Sequence, residues 1–600
     1  MKRTLVMLAV GLIALACDGR PRRTGGVARH AANKSLQSGV VAEVDLSGGI
    51  PESTTTSNWL PLPASRTYVG LVRALVRLRT DRDSRAVLVR LGATRLDWAK
   101  AEELGPLLEA IRKDKPVVCH AHSISDSALW FLARGCDRIW LSAAGDVDTV
   151  GISAQIVYLR GLLDRLGVRA DFISMGRYKS AAESLLRQGP SDEARQELLG
   201  TLGAIRKVWL DDLRKARPAA ADAAESGPWG AQEALSRHVI DAVGDSSAAR
   251  DDAQSRGHVI GSKVAFGPGA ESSSEIAVAE IVRTLSGIES AASDRPHIAV
   301  LPAIGGITMG SDQLFSSSGI GYASMVKTID ELSEDPLVRA VVLRIDSPGG
   351  SALASDLLWL RLTELAAKKP LIASVGSMAA SGGYYLASAS DSIVAARTSI
   401  VGSIGVVGGK LVIGEALDAY GVKTVTLSPN PDPGAAARAT YESPLVAWDD
   451  ATRARITQQM HEVYELFVAR VSQGRHLARD RVLASAEGRI FSGLEGKQRG
   501  LVDQLGGLDA ALELARRRAG LGAHAPISVE GPTGGILAAL GLDESASTVQ
   551  LTAALTREHD NVWNPLRRAP REFVPTLVGL SPMLFGERVL AVLPILLHLR

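Results

Sequence analysis

Aromatic side chains are scarce, at 4% of 600 residues, and cysteine is scarcer still, with three at positions 17, 119 and 136. Three cysteines exclude a disulfide framework, so stability has to come from packing. Charge of one sign is missing too: 67 Lys and Arg stand against 65 Asp and Glu, a net +2. That balance offers nucleic acid no electrostatic footing, and none is expected as a partner. No histidine lies between His297 and His461, which excludes a nucleophile in that interval with a histidine close behind it. The apolar run at the N-terminus, residues 5–15, is shorter than the roughly 20 residues a helix needs to span a bilayer.

What is present is 46% hydrophobic and 22% charged residues, the composition of an α/β protein long enough for several domains. Lys2 and Arg3, the apolar run and Ala14-Leu15-Ala16-Cys17 form an export signal. Ala14-x-Ala16 suits an ordinary signal peptidase. A cysteine after a small residue suits lipid attachment at Cys17, and the favoured reading is an exported, lipid-anchored protein at the periplasmic face of a bacterial inner membrane. Residues 18–40, rich in Arg, Gly, Ser and Ala without periodicity, read as a tether.

The main organisational fact is a repeat. Tyr68 overlies Tyr322, and at the same offset Arg85-Ala86-Val87 overlies Arg339-Ala340-Val341, Lys115-Pro116 overlies Lys369-Pro370 and Ser127 overlies Ser381. Two copies follow, at 41–290 and 295–522, with an extension at 523–600 whose role is open. Each copy alternates strand and helix patterns, which predicts parallel sheets with crossover helices. Within the extension, the apolar stretch 584–599 reads as a core helix or as an amphipathic membrane- or subunit-contacting piece.

The copies differ where chemistry would sit. In the second, one strand ends in Asp346-Ser347-Pro348-Gly349-Gly350-Ser351, where the first has Gly92-Ala93-Thr94-Arg95-Leu96-Asp97. Further on, Ala380-Ser381-Gly382-Gly383 stands where an apolar strand gives way to a helical run. A serine at such a turn exposes its hydroxyl while the following amide points at the same spot. Alone, Ser-Gly-Gly also occurs wherever a helix packs closely on a sheet, and Pro-Gly-Gly makes a tight turn. Together they point to a nucleophile, Ser381, with an oxyanion hole from Gly349 or Gly350 and Gly382.

A serine needs a base. His461 and His476 lie in a charge-rich helical stretch and read as surface residues, and the second copy has no lysine from 424 to 496. The first copy has Lys179, in Ser174-Met175-Gly176-Arg177-Tyr178-Lys179-Ser180, but its Ser127 lacks the glycines. One copy keeps the serine and the amide donors, the other the lysine.

These motifs, with Gly402-Ser403-Ile404-Gly405, make the chain resemble the long form of signal peptide peptidase A, or protease IV. The resemblance implies a serine protease with a Ser-Lys dyad on a tandem of Clp-protease/crotonase-like domains, working as a homotetramer. Motif for motif, it implies Ser381 as nucleophile, Lys179 as general base and Ser403 as the group that orients the lysine. The substrates it implies are released signal peptides, and an apolar, extended peptide would add a strand to a sheet edge. Other readings are a crotonase-like acyl-thioester-binding enzyme and a catalytically silent assembly scaffold.

Free lysine has a pKa of roughly 10.4, and a base near neutrality needs about three units less, or about 4 kcal/mol. Burial between the two copies would supply it, so Lys179 is predicted to be sequestered. Arg177 would depress it further or point to solvent. Asp346 is expected to brace the Pro-Gly-Gly turn. Cys119, His120, His122 and Cys136 include metal-ligand types, but along a strand the histidines face away from Cys119. No metal or cofactor is expected, and the two cysteines are expected to be buried and free.

Overall fold

Runs rich in Val, Ile, Leu and Ala, each closed by a polar or Gly-rich turn, become the strands. The computed structural model describes residues 39–52, 67–268, 270, 294–310, 319–531 and 589–592. Cys17 and the tether residues before 39 lie outside them. The first copy contributes β1 Val40–Asp45, β2 Ser84–Gly92, β3 Val117–Ser125, β4 Arg138–Asp148, β5 Arg169–Met175, β6 Trp229–Gly230, β7 Ala242–Val243 and β8 Gly261–Phe266. The second contributes β9 His297–Ile304, β10 Gly306–Thr308, β11 Gly319–Gly321, β12 Val338–Ser347, β13 Gly349–Ser351, β14 Leu371–Ala380, β15 Ser392–Ala395, β16 Ile400–Gly402, β17 Val406–Val412, β18 Ile490–Ser492, β19 Gln504–Leu505 and β20 Ile527–Val529. A last strand, β21 Val589–Val592, follows.

Among the described residues, one sheet of the first copy runs β6-β4-β3-β2-β1-β8 and one of the second runs β18-β16-β14-β12-β9-β20. Their central strands pair in parallel. Helices make the crossovers: Tyr68–Thr80, Trp98–Arg112 and Asp126–Gly135 in the first copy, Tyr322–Glu334, Ala352–Ala366 and Gly382–Ala387 at the same places in the second. The tandem α/β expectation is therefore met. β20 pairs with β9 as β8 pairs with β1, so the second copy's sheet takes a strand from beyond residue 522.

A third sheet, β11-β10-β13-β21-β17-β5, is built from both copies. Its seam is the antiparallel pair β5–β17, which runs from Met175 opposite Val406 to Arg169 opposite Val412. The hydrophobic core is shared as well: Leu104 and Leu108 of the first copy sit in one cluster with Ile372, Val394, Leu508 and Leu512 of the second. Buried charge crosses the same interface. Arg344, 1% exposed, donates to Glu103 at 3.1 Å and to Glu52 at 3.3 Å, and Glu103 also accepts from the Tyr68 hydroxyl at 2.6 Å. Arg397 joins Glu102 and Asp212 in the same way.

Two expectations are corrected. Cys119 and Cys136 are not free: the helix Asp126–Gly135 runs back along β3 and brings their Cα atoms to 5.9 Å, where they form a disulfide. The apolar stretch near the C-terminus is not helical at 589–592 but extended, its backbone paired on both sides. Among the described residues, no helix is long and apolar enough to cross a membrane.

Candidate active site

Two strand registers bring the site together. Ala380 of β14 pairs with Gly402 of β16, so the residues that follow them, Ser381 and Ser403, leave the sheet side by side. Met175 pairs with Val406, so the chain leaving β5 toward Lys179 passes the chain arriving at β17 from Ser403. The Lys179 side-chain nitrogen Nζ lies 2.7 Å from Ser381 Oγ, 3.0 Å from Ser403 Oγ and 3.0 Å from the Ser403 carbonyl oxygen. Lys179 is 3% exposed, and both serines are fully buried.

Both serines are held in a conformation that L-residues rarely adopt, with φ 56° at Ser381 and 55° at Ser403. Local bonds hold the first: Ser381 N–H donates to the Gly402 carbonyl, and Tyr385 N–H donates to the Ser381 carbonyl, each at 2.8 Å. Ser403 N–H donates to the Arg489 carbonyl at 2.6 Å. The two glycines after Ser381 answer to close packing. A Cβ on Gly382 would sit 3.1 Å from Gly349 Cα, and one on Gly383 would sit 2.6 Å from the Ser347 carbonyl oxygen. The close packing that Ser-Gly-Gly permits is also what sets the Gly349-Gly350 pair of β13 beside Ser381. Ser347, which sequence reasoning passed over, ties the start of β13 to the chain after β9: its hydroxyl donates to the Gly305 carbonyl at 2.7 Å and accepts from Gly349 N–H at 3.2 Å. Asp346 instead braces β14, its carboxylate accepting from Ser377 and Met378 N–H at 3.3 Å.

Burial drives the Lys179 pKa well below the ordinary lysine value, against a smaller opposing pull from the Glu197 carboxylate. Glu197 is itself pushed up by burial, to about 8. Arg177 is exposed and stacks on Tyr178 instead of facing Lys179. A neutral lysine has two N–H donors and one lone pair. The two Ser403 oxygens match the donors, which leaves the lone pair for the Ser381 hydroxyl proton. The geometry can thus move a proton from Ser381 to Lys179 without a histidine.

The corresponding place in the first copy is different. Ser127 lies inside the first turn of its helix, and its hydroxyl donates to the Leu96 carbonyl at 2.6 Å. His461 and His476 are exposed, as expected. His120 is buried and His122 exposed.

Beside Ser381 runs β21. It lies antiparallel between β13 and β17, with Gly349 opposite Val592, Gly350 opposite Ala591, and Leu590 opposite both Ser351 and Val407. The strand that carries the candidate oxyanion glycines therefore presents its edge to an extended segment.

Comparison with known proteins shows the family. The profile of peptidase family S49 matches residues 109–259 and 363–522, one segment in each copy. The chain is 27% identical over 71% of its length to "Serine protease SPPA, chloroplastic" of Arabidopsis thaliana, covering 61% of that protein. It is 30% identical over 75% of its length to "Protease 4" of Salmonella typhi, covering 72% of that protein. For "Protease 4" of Haemophilus influenzae the figures are 30% identity over 67% of this chain and 65% of that one. A ClpP1 mutant from Listeria monocytogenes aligns over 36% of this chain and 94% of its own at 11% identity, with a TM-score of 0.23, too low to carry weight beside the strand topology. With a family segment in each copy and relatives aligned along most of its length, the chain belongs to peptidase family S49.

Proposed function

We propose that the chain is a membrane-associated serine endopeptidase of the cell envelope that hydrolyses apolar peptides, released signal peptides among them, with Ser381 as nucleophile and Lys179 as general base. The observation that carries this reading is the 2.7 Å approach of Lys179 Nζ to Ser381 Oγ inside a buried pocket, with Ser403 as second partner of the lysine. Ser381 Oγ attacks the peptide carbonyl as its proton passes to Lys179. The oxyanion is held by Gly382 N–H and an amide of the Gly349-Gly350 pair, and Lys179 returns the proton to the leaving amine. Water then attacks the acyl-enzyme with Lys179 again as base.

The paired edges of β13 and β17 support binding of substrate as an added strand. Lipid attachment at Cys17 and a homotetramer belong to the same reading. In the test, Ser381→Ala and Lys179→Ala are each assayed on an apolar fluorogenic peptide with folding checked by circular dichroism. Both should lose hydrolysis and stay folded; full activity in either would refute the dyad.

A further inference from the structure

One short loop touches both sides of the site and has no part in the chemistry proposed above. Residues 487–489 enter β18, and Glu487 and Gly488 adopt φ 62° and 81° in succession. Toward the lysine, the Glu487 carbonyl accepts from Tyr178 N–H at 2.8 Å and its carboxylate from Arg177 N–H at 3.0 Å. The Arg489 guanidinium donates to the Tyr178 hydroxyl at 3.0 Å and lies 4.2 Å from the centre of that ring. Toward the serines, Gly488 N–H donates to the Ile404 carbonyl at 2.8 Å, and the Arg489 carbonyl accepts from Ser403 N–H at 2.6 Å. The next residue is tied to the first copy, since Ile490 N–H donates to Glu197 at 2.9 Å.

The absence of side chains matters as much as these bonds. A Cβ on Gly488 would stand 2.5 to 2.7 Å from the backbone N, Cα and Cβ of Lys179. A Cβ on Gly176 would stand 2.6 Å from the Glu487 carbonyl carbon, and one on Gly405 would stand 3.2 Å from Gly488 Cα. Three glycines from three segments interlock where the loop is wedged between Lys179 and Ser403.

We propose that the loop 487–489 is the positioning element of the dyad, setting the distance between a lysine from one copy and serines from the other. The inference rests on Lys179 acting as base. Arg489 and Glu487 are positioning residues, because they act on Lys179 through Tyr178 and Arg177 and on Ser381 through Ser403. The charged groups around the pair are Glu197, whose carboxylate faces Lys179 from the helix Asp192–Ala216, and Arg489 and Arg499, which face Glu197.

The test compares Arg489→Ala, Tyr178→Phe and Gly488→Ala with the full-length protein, measuring kcat, KM and the pH profile of kcat/KM on one apolar peptide. A displacement near 1 Å at a reacting group costs about 100-fold, the drop expected in kcat for Gly488→Ala with KM nearly unchanged. Arg489→Ala keeps the glycines, so it stays folded even where Gly488→Ala does not. It should lower kcat by about tenfold and move the acid limb of the profile to higher pH, because a loosened lysine is hydrated and regains basicity. Tyr178→Phe keeps the ring under the guanidinium and should recover most of the rate. An unmoved acid limb in Arg489→Ala, or a loss confined to KM or to thermal stability, would overturn the proposal. An inactive wild-type protein, or an active Lys179→Ala variant, would instead bring down the dyad itself.

Discussion

Removal of one oxygen from the lysine's surroundings, in Ser403→Ala, tests how the base is held. The Ser403 hydroxyl lies 3.0 Å from Lys179 Nζ, and the Ser403 carbonyl, which the substitution keeps, lies at the same distance. Alanine suffers at φ 55° about as serine does, so the fold should be unaffected. Neutral Lys179 would lose the partner of one of its two N–H groups in a fully buried setting, a cost of about 1–3 kcal/mol. At about 1.4 kcal/mol per decade, kcat should fall by roughly 5- to 150-fold. KM should hardly change, because the hydroxyl faces Lys179 and not the edges of β13 and β17. The acid limb should move as well. A hydrogen bond to an ammonium is stronger than one to a neutral amine, so losing it disfavours the charged form and lowers the Lys179 pKa further. The expected signature is a slower enzyme whose acid limb lies at lower pH, opposite to the shift expected for Arg489→Ala. An unchanged kcat, or an acid limb moving upward, would refute Ser403 as the orienting group.

Three further outcomes follow from the same geometry. Ending the chain at residue 531 removes β21 from between β13 and β17, so a peptide no longer competes with a tethered strand and its apparent KM should fall severalfold, and an unchanged KM would separate β21 from the peptide-binding edges. Arg344→Leu leaves Glu103 and Glu52 buried without their shared cation and should cost about 3–5 kcal/mol in urea unfolding, with a loss under 1 kcal/mol speaking against the network as a tie between the copies. Lys179→Met should stabilise the protein. The folded-state pKa of Lys179 lies below the unfolded value of roughly 10.4, so the wild type pays its full penalty below the folded pKa and recovers it as pH rises toward 10.4. The gain in melting temperature should shrink over that window, whereas a gain independent of pH would mean that Lys179 is not depressed.

Much of the candidate site is legible because its residues stand in short motifs within a repeat. The overlay of Ser127 on Ser381 set the serine and glycines of one copy against the lysine of the other, and the strand-to-helix pattern around each gave the parallel sheets. What stayed hidden depends on contacts between segments far apart in the chain. Arg344 and Glu103 are separated by 241 residues and neither motif nor periodicity links them. Ser403 meets Lys179 only through the antiparallel seam of β5 and β17, a register that no local pattern encodes. The loop 487–489 acts largely through backbone groups, which every residue carries, so its one visible signal was a lone Gly488. The disulfide was missed because its spacing becomes short only once the helix Asp126–Gly135 folds back on β3. β21 was missed because an apolar run of that length fits a helix or a strand equally well, and pairing with the edges of β13 and β17, far away in the chain, decides between them.

Activation of a serine from one copy by a lysine from the other is tested most directly by the site and rate of modification by a fluorophosphonate probe, read by peptide mass spectrometry. A single adduct on Ser381 is expected in the wild type, with Ser127 unmodified and no adduct formed in Lys179→Met. Labelling of Lys179→Met at the wild-type rate, or an adduct on a different serine, would contradict it.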